Sequence, residues 1–229
     1  MREICFDTET TGLDPKNGDK ITEIGCVEII DRKVTGNSYR QIINPGRKNN
    51  EESIRITGLT DEILKDKPFF SEIFKDFLEF IGNDSILIAH NATFDTTFVN
   101  YELSLLGVEP IKNTVIDSLS LAKVKFPGKK NNLDALCERY GIDNSNRTKH
   151  GALLDAELLA EVYLKLTEEE QSSFFSSNNK SKESLDIKNL LDAIKTKDKL
   201  EKRNFIFDPS EEEKHKAFIE KNIKNSLWN

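Results

Sequence analysis

The rhythm of apolar and polar residues divides the chain into three stretches. In the first, "REICFDTET", "KITEIGCVEII" and "SYRQIINPG" are short runs rich in Ile, Val and Phe, which predicts strands. "TGLDPKNGD" has the composition of a turn, and Pro45 stops the third run. Short connections predict that the three lie antiparallel. In the second stretch, helical and strand-like patterns alternate. "LTDEIL" and "PFFSEIFKDFLEFIG" predict helices, the latter closed by Gly82, and "SILIAHN" predicts a strand. "ATFDTTFVNYELSLLG" predicts a helix stopping at Gly107, and "TVIDSLSLA" a strand or strand–helix junction. "NLDALCERYG" and "GALLDAELLAEVYLKL" predict two more helices. A meander followed by β–α alternation predicts an α/β domain over residues 1–168, on a mixed five-stranded sheet flanked by helices.

The third stretch has neither rhythm. "EEEQSSFFSSNNKSKES" is polar and Ser/Asn-rich, which predicts a flexible linker over 169–185. Residues 186–229 form a C-terminal extension expected to need a partner. In it Asp208, Pro209 and Glu211 have the spacing of a helix start. Phe218, Ile219, Ile223, Leu227 and Trp228 look like an anchor for another protein, and His215 sits in a charged, solvated helix. No internal repeat interrupts this plan.

Composition narrows the picture. Hydrophobic residues make up 37% of the 229, enough for a core, and charged residues 32%. No apolar run approaches the ~20 residues of a membrane span, and the first residues carry no signal-peptide pattern, so a cytoplasmic location is expected. Cys5, Cys26 and Cys137 sit in apolar contexts without metal-ligand spacing, which predicts buried free thiols. A net charge of −7 excludes a protein that coats nucleic acid by bulk electrostatics. It leaves room for one that grips a strand end through metal ions.

Several carboxylates do not suit their positions. Asp7 and Glu9 are two apart on a predicted strand, so both point to one face, where like charges repel. Asp155 departs from the wet stripe Glu157, Glu161, Lys165 and Glu168 and shares its line with Leu159, Val162 and Leu166. Asp95 shares a line with Phe98, Val99 and Leu106. A lone Asp-x-Glu reads more often as a solvent-facing strand end, and Asp95 or Asp155 alone often as a helix cap or a satisfied core aspartate. Together they predict one convergent acidic site suited to hard ions such as Mg²⁺ or Mn²⁺. Two such ions ~4 Å apart can hold the attacking and leaving oxygens of a phosphoryl displacement. His150, five residues before Asp155, has the ordinary pKa of a general base at neutral pH. His90 reads as structural, with Asn91 or Thr93 capping the helix that follows.

"DTETTG", "HNATFD" and "HGALLD" resemble the three motifs of the DEDD exonuclease superfamily, in the branch whose third motif is H-x4-D. The likeness sharpens over roughly residues 1–168. "ITEIGCVEI", "IDSLSLA" and "KFPGKKNNLDALCERYGIDNSNRTKHGALLDAELLAEVYLKLT" are similar to the epsilon proofreading subunits of bacterial DNA polymerase III. The resemblance implies a ribonuclease H-like fold and a 3′→5′ exonuclease that removes mispaired 3′-terminal nucleotides by two-metal hydrolysis. It implies Asp7, Glu9 and Asp155 as metal ligands, Asp95 on the second ion, and His150 as general base. Asp7, Glu9 and Asp155 would also line the substrate site, with Glu52 and Thr57 nearby. At Thr57 the family often carries a histidine, so nucleotide contacts there differ.

Residues 123–149 carry seven basic against three acidic residues, readable as a track for a single strand or as a solvated face. Gln171, Phe174 and Phe175 in "QSSFF" resemble a sliding-clamp (beta) docking motif or are a chance pair. By resemblance the C-terminal tail binds the polymerase alpha subunit, and a small theta-like subunit is a further partner. Two other roles stand beside this one: an RNA-trimming exoribonuclease of the ribonuclease T or oligoribonuclease type, and a replisome scaffold with incidental catalysis.

Overall fold

The structure is a computed structural model that describes the backbone of residues 1–176 and the side chains of residues 1–168. The side chains of Gln171, Phe174 and Phe175, and every expectation for residues 177–229, lie outside the described residues. Five strands run in the order β3-β2-β1-β4-β5. β1 (Arg2–Thr10), β2 (Ile21–Ile30) and β3 (Lys33–Ile42) form the antiparallel meander, and β4 (Ile86–Ala89) and β5 (Thr114–Asp117) join it in parallel. This is the mixed five-stranded sheet that the pattern predicts.

Side-chain alternation along the central strand builds two cores. Ile4 and Phe6 face α3 (Phe70–Ile81) and α4 (Ala92–Leu105), where Phe77, Phe98 and Val99 are almost wholly buried. Cys5 faces the opposite way, onto α5 (Ser118–Lys125), α6 (Leu133–Tyr140) and α7 (Ala152–Ser176). β2 is buried along nine of its ten residues because elements cover it on both sides. All three cysteines are buried and free. No described helix is long and apolar enough to cross a membrane.

α7 comes unusually close to the sheet. A Cβ at Gly25 would lie 2.2 Å from the carbonyl carbon of Ala152 and from the Leu153 nitrogen. Only a glycine admits this contact, which sets the start of α7 directly on β2, opposite Asp7 in the strand register.

Several elements differ from the pattern. α1 (Glu51–Thr57) stands where the pattern predicts no helix, because seven residues are too few to show a period, while α2 (Asp61–Leu64) is the helix predicted at "LTDEIL". The punctuation of α1 is clear nonetheless. Asn50 accepts from the Ser53 amide at 2.6 Å, and Gly58 closes the helix at φ 78°. β3 starts at Lys33, well before "SYRQII", because the outer residues of an edge strand are exposed and carry no alternation. Asn91 adopts φ 75° and makes no side-chain cap. The cap comes from Asp117, whose Oδ1 accepts from the Asn91 amide at 2.9 Å and the Ala92 amide at 3.4 Å. Leu106, expected on the buried line of Asp95, is 38% exposed because α4 ends one residue earlier.

Candidate active site

The odd-numbered side chains at the end of β1 belong to the α7 face, and the even ones to the α4 face. Glu3 shows the first orientation by accepting from the Tyr163 hydroxyl of α7 at 2.7 Å. Asp7 and Glu9 continue that row and meet Asp155 in the first turn of α7. Thr8 points the other way, onto α4. Its amide and its hydroxyl both donate to Asp95 Oδ1, at 2.9 and 2.7 Å. Asp95 therefore reaches the strand end from the opposite side of the sheet. All four carboxylates line one open cavity of about 310 Å³, together with His150, His90, Asp134 and Arg147.

The acidic pocket is costly in itself. Burial, and then the charges of Asp95, Glu9 and Asp155, push the Asp7 carboxyl well above its usual range. Burial and the Asp155 charge push Glu9 up to about 8. Burial pushes Asp95 up to about 7 even though both Thr8 hydrogen bonds favour its ionised form. Such a set is stable as carboxylates only with cationic compensation. Ligand atoms of Glu9, His150 and Asp155 lie within 4.8 Å of one another, close enough for one divalent ion. The donor set is oxygen-rich, with no thiolate, and it fits a hard cation.

His150 is 46% exposed, and its backbone amide donates to the Ile56 carbonyl at the end of α1, at 3.0 Å. Lys149 is held there too, its Nζ donating to the Arg55 carbonyl. Burial and the neighbouring Arg147 charge lower the pKa of His150, which keeps the ring neutral. Glu23 caps α7, its Oε2 accepting from the Ala152 amide at 3.2 Å.

The expected site residues divide clearly. Asp7, Glu9, Asp95, His150 and Asp155 come together. Glu52 and Thr57 are not among the cavity-lining residues. Glu52 is exposed and pairs with Arg55. The Thr57 hydroxyl donates to the Ser53 carbonyl at 2.9 Å and accepts from the Leu59 amide at 3.1 Å. Their helix serves the site by holding the His150 backbone. The basic stretch divides as well. Arg147 is buried against Asp155 and Asp134, and Arg139 binds the Lys130 carbonyl and stacks on Phe126 with its guanidinium carbon 4.3 Å from the ring centre. Lys123, Lys129 and Lys130 remain exposed.

Three contributors have only faint signals in the sequence. Asp117 both pins α4 and caps α5, accepting from the Leu119 amide at 3.1 Å; "IDSL" has the pattern of a helix cap. His90 lines the cavity as well as serving the structure: its Nδ1 meets Ser118 Oγ at 2.9 Å. Arg147 carried no signal beyond its charge.

The sequence pattern of the family described as Exonuclease matches residues 4–163. The DNA polymerase III subunit epsilon of Rickettsia felis is 47% identical over 232 residues, covering 99% of each chain. The DNA polymerase III subunit epsilon of Escherichia coli K12 is 46% identical over 190 residues, 80% of this chain and 78% of that one. Among solved structures, Exonuclease X in complex with 5′ overhanging duplex DNA superposes with a TM-score of 0.58 at 25% identity, over 73% of this chain and 91% of that one. The nuclease domain of 3′hExo, a DEDDh family member bound to rAMP, has the same fold, with a TM-score of 0.64 at 18% identity over 73% and 92% of the two chains.

Proposed function

Because the chain belongs to the exonuclease family, among the epsilon subunits of DNA polymerase III, we propose that Asp7, Glu9, Asp95 and Asp155 hold two divalent ions, Mg²⁺ or Mn²⁺, with His150 as general base. Exonucleases of this family are divalent-metal-dependent nucleases, and members of the epsilon group are 3′→5′ proofreading exonucleases in DNA replication. The convergence of these five side chains from β1, α4 and the start of α7 on one cavity carries the assignment.

The division of labour follows from the geometry. A phosphodiester brings further negative charge into an acidic pocket, so the carboxylates alone would repel it. Asp7, Glu9, Asp95 and Asp155 would hold ions that, when bound, would supply positive charge to the developing phosphorane and the leaving 3′ oxygen. His150, neutral and partly exposed at the cavity wall, accepts the proton of the attacking water. The new P–O bond forms in line with the P–O3′ bond that breaks, which releases a 5′-mononucleotide. Mispaired ends are favoured because an unpaired terminus costs less to separate from its template.

The same reading places the protein in the cytoplasm, with DNA as substrate and the replicative polymerase as partner. The tail binds the alpha subunit, the linker the beta clamp, and a small theta-like subunit is a further partner. Full-length similarity to the Rickettsia felis subunit, tail included, supports this over an RNA-trimming or scaffold role. The test is degradation of matched and mismatched DNA 3′ ends with Mg²⁺, Mn²⁺ or EDTA. Faster loss of mismatched ends, abolished by EDTA, is expected; metal-independent hydrolysis would overturn the assignment.

A further inference from the structure

Arg147 stands where a cation is needed. Its side chain is only 7% exposed, and its fork is fully used. Nε donates to Asp155 Oδ1 at 2.6 Å and Nη2 to Asp155 Oδ2 at 2.8 Å. Nη1 donates to Asp134 Oδ1 at 2.7 Å, and Nη2 also reaches His150 Nδ1 at 3.1 Å. Both oxygens of Asp155 are therefore occupied by N–H groups. The Glu9, His150 and Asp155 atoms that lie close enough for a divalent ion include atoms that Arg147 already holds. A guanidinium and a divalent ion cannot share one carboxylate at contact distance without strong repulsion.

The contact with His150 has a second consequence. A guanidinium has donors and no acceptor, so Nδ1 must accept. Neutral His150 then carries its proton on Nε2, and the one free lone pair of the ring is used by Arg147. In this arrangement His150 has no nitrogen available to take a proton. Asp134, with half its side chain exposed, offers the guanidinium a carboxylate away from Asp155.

We infer that Arg147 is a placeholder for the metal and a positioning residue for the base. It neutralises Asp155 and occupies His150 until a divalent ion displaces it toward Asp134, which frees the His150 nitrogen as the site loads. The inference rests on the two-ion reading above and adds to it a competition that sets the ion concentration needed.

The experiment is calorimetric titration of the full chain with Mg²⁺, comparing wild type with Arg147→Gln and Arg147→Lys. Arg147→Gln should bind the ion about tenfold more tightly, the scale of ordinary coupling between two ligands of one site. Arg147→Lys should fall between the two. Lys149→Gln removes the same charge from an exposed neighbour and should change the affinity less than about twofold, since exposed charges are screened. Equal or weaker binding by Arg147→Gln, or an equal gain in Lys149→Gln, overturns the placeholder. In wild type alone, ¹⁵N NMR should show His150 with its proton on Nε2 before Mg²⁺, and both the His150 and the Arg147 Nε signals should move on saturation. Saturation that leaves them unmoved also overturns it. Absence of any Mg²⁺ binding by wild type would sink the metal reading itself, a different result from equal binding by the variants.

Discussion

The two halves of the acidic site are built on different principles. On the α4 side, Asp95 is held by neutral donors: the Thr8 amide and hydroxyl grip one oxygen, and Asp117 ties down the amides that open its helix. On the α7 side, Asp155 is held by a charged partner, Arg147, on the segment that leads into the helix. Neutral donors do not compete with a metal ion for position; a cation does. One half is thus organised in advance, and the other is held by an exchangeable ion pair.

The comparison can be broken from either side. The largest effect is expected from Asp7→Ala combined with Asp155→Ala. It should reduce hydrolysis of a frayed primer by several orders of magnitude in single-turnover assays, with the far-UV spectrum unchanged. Retained hydrolysis would refute the metal mechanism. Gly25→Ala attacks the α7 half alone, because its methyl would collide with backbone at Ala152. A cost of about 1–3 kcal/mol is expected from overpacking, read as a lower Tm, with activity lost further as Asp155 and His150 shift. Thr8→Val attacks the α4 half by removing one of two donors, at a cost of about 1 kcal/mol. The Asp95 carboxyl should then titrate above its present value of about 7 by ¹³C NMR. A titration unchanged from wild type would show that the hydroxyl does not matter.

The remaining test concerns pH. In metal-free protein Glu9 is pushed from 4.5 to about 8, so the folded state holds its proton more tightly than the unfolded state. Its contribution to stability is full below pH 4.5 and is lost as pH rises through 8. Thermal melts in EDTA should decline across this window, more steeply than those of Glu9→Gln, and Mg²⁺ should flatten the wild-type curve. Equal slopes for the two proteins would remove Glu9 as the cause.

How legible the site was depended on whether each residue violated its local pattern. Asp7, Glu9, Asp95 and Asp155 stood out because a carboxylate on an apolar line needs a partner. Thr8, Asp117 and Gly25 violated nothing, since threonine in a strand, aspartate before a helix and glycine in an apolar run are all ordinary. Thr57 shows the reverse: its place in the family pattern points to substrate, while in this structure its hydroxyl bonds to the Ser53 carbonyl and the Leu59 amide. The exposed outer part of β3 and the seven-residue α1 gave periodicity nothing to register.

The sequence by itself determined the strand and helix rhythm, the buried thiols and which carboxylates stand out of place, because each follows from local spacing and the cost of burying charge. Tertiary structure alone decided how those carboxylates meet. Asp95 arrives from the far side of the sheet, α7 rests on Gly25, and Arg147 fills the space between Asp155 and His150. These contacts join residues far apart in the chain or on different elements, and no local period records which of them a folded sheet will bring face to face.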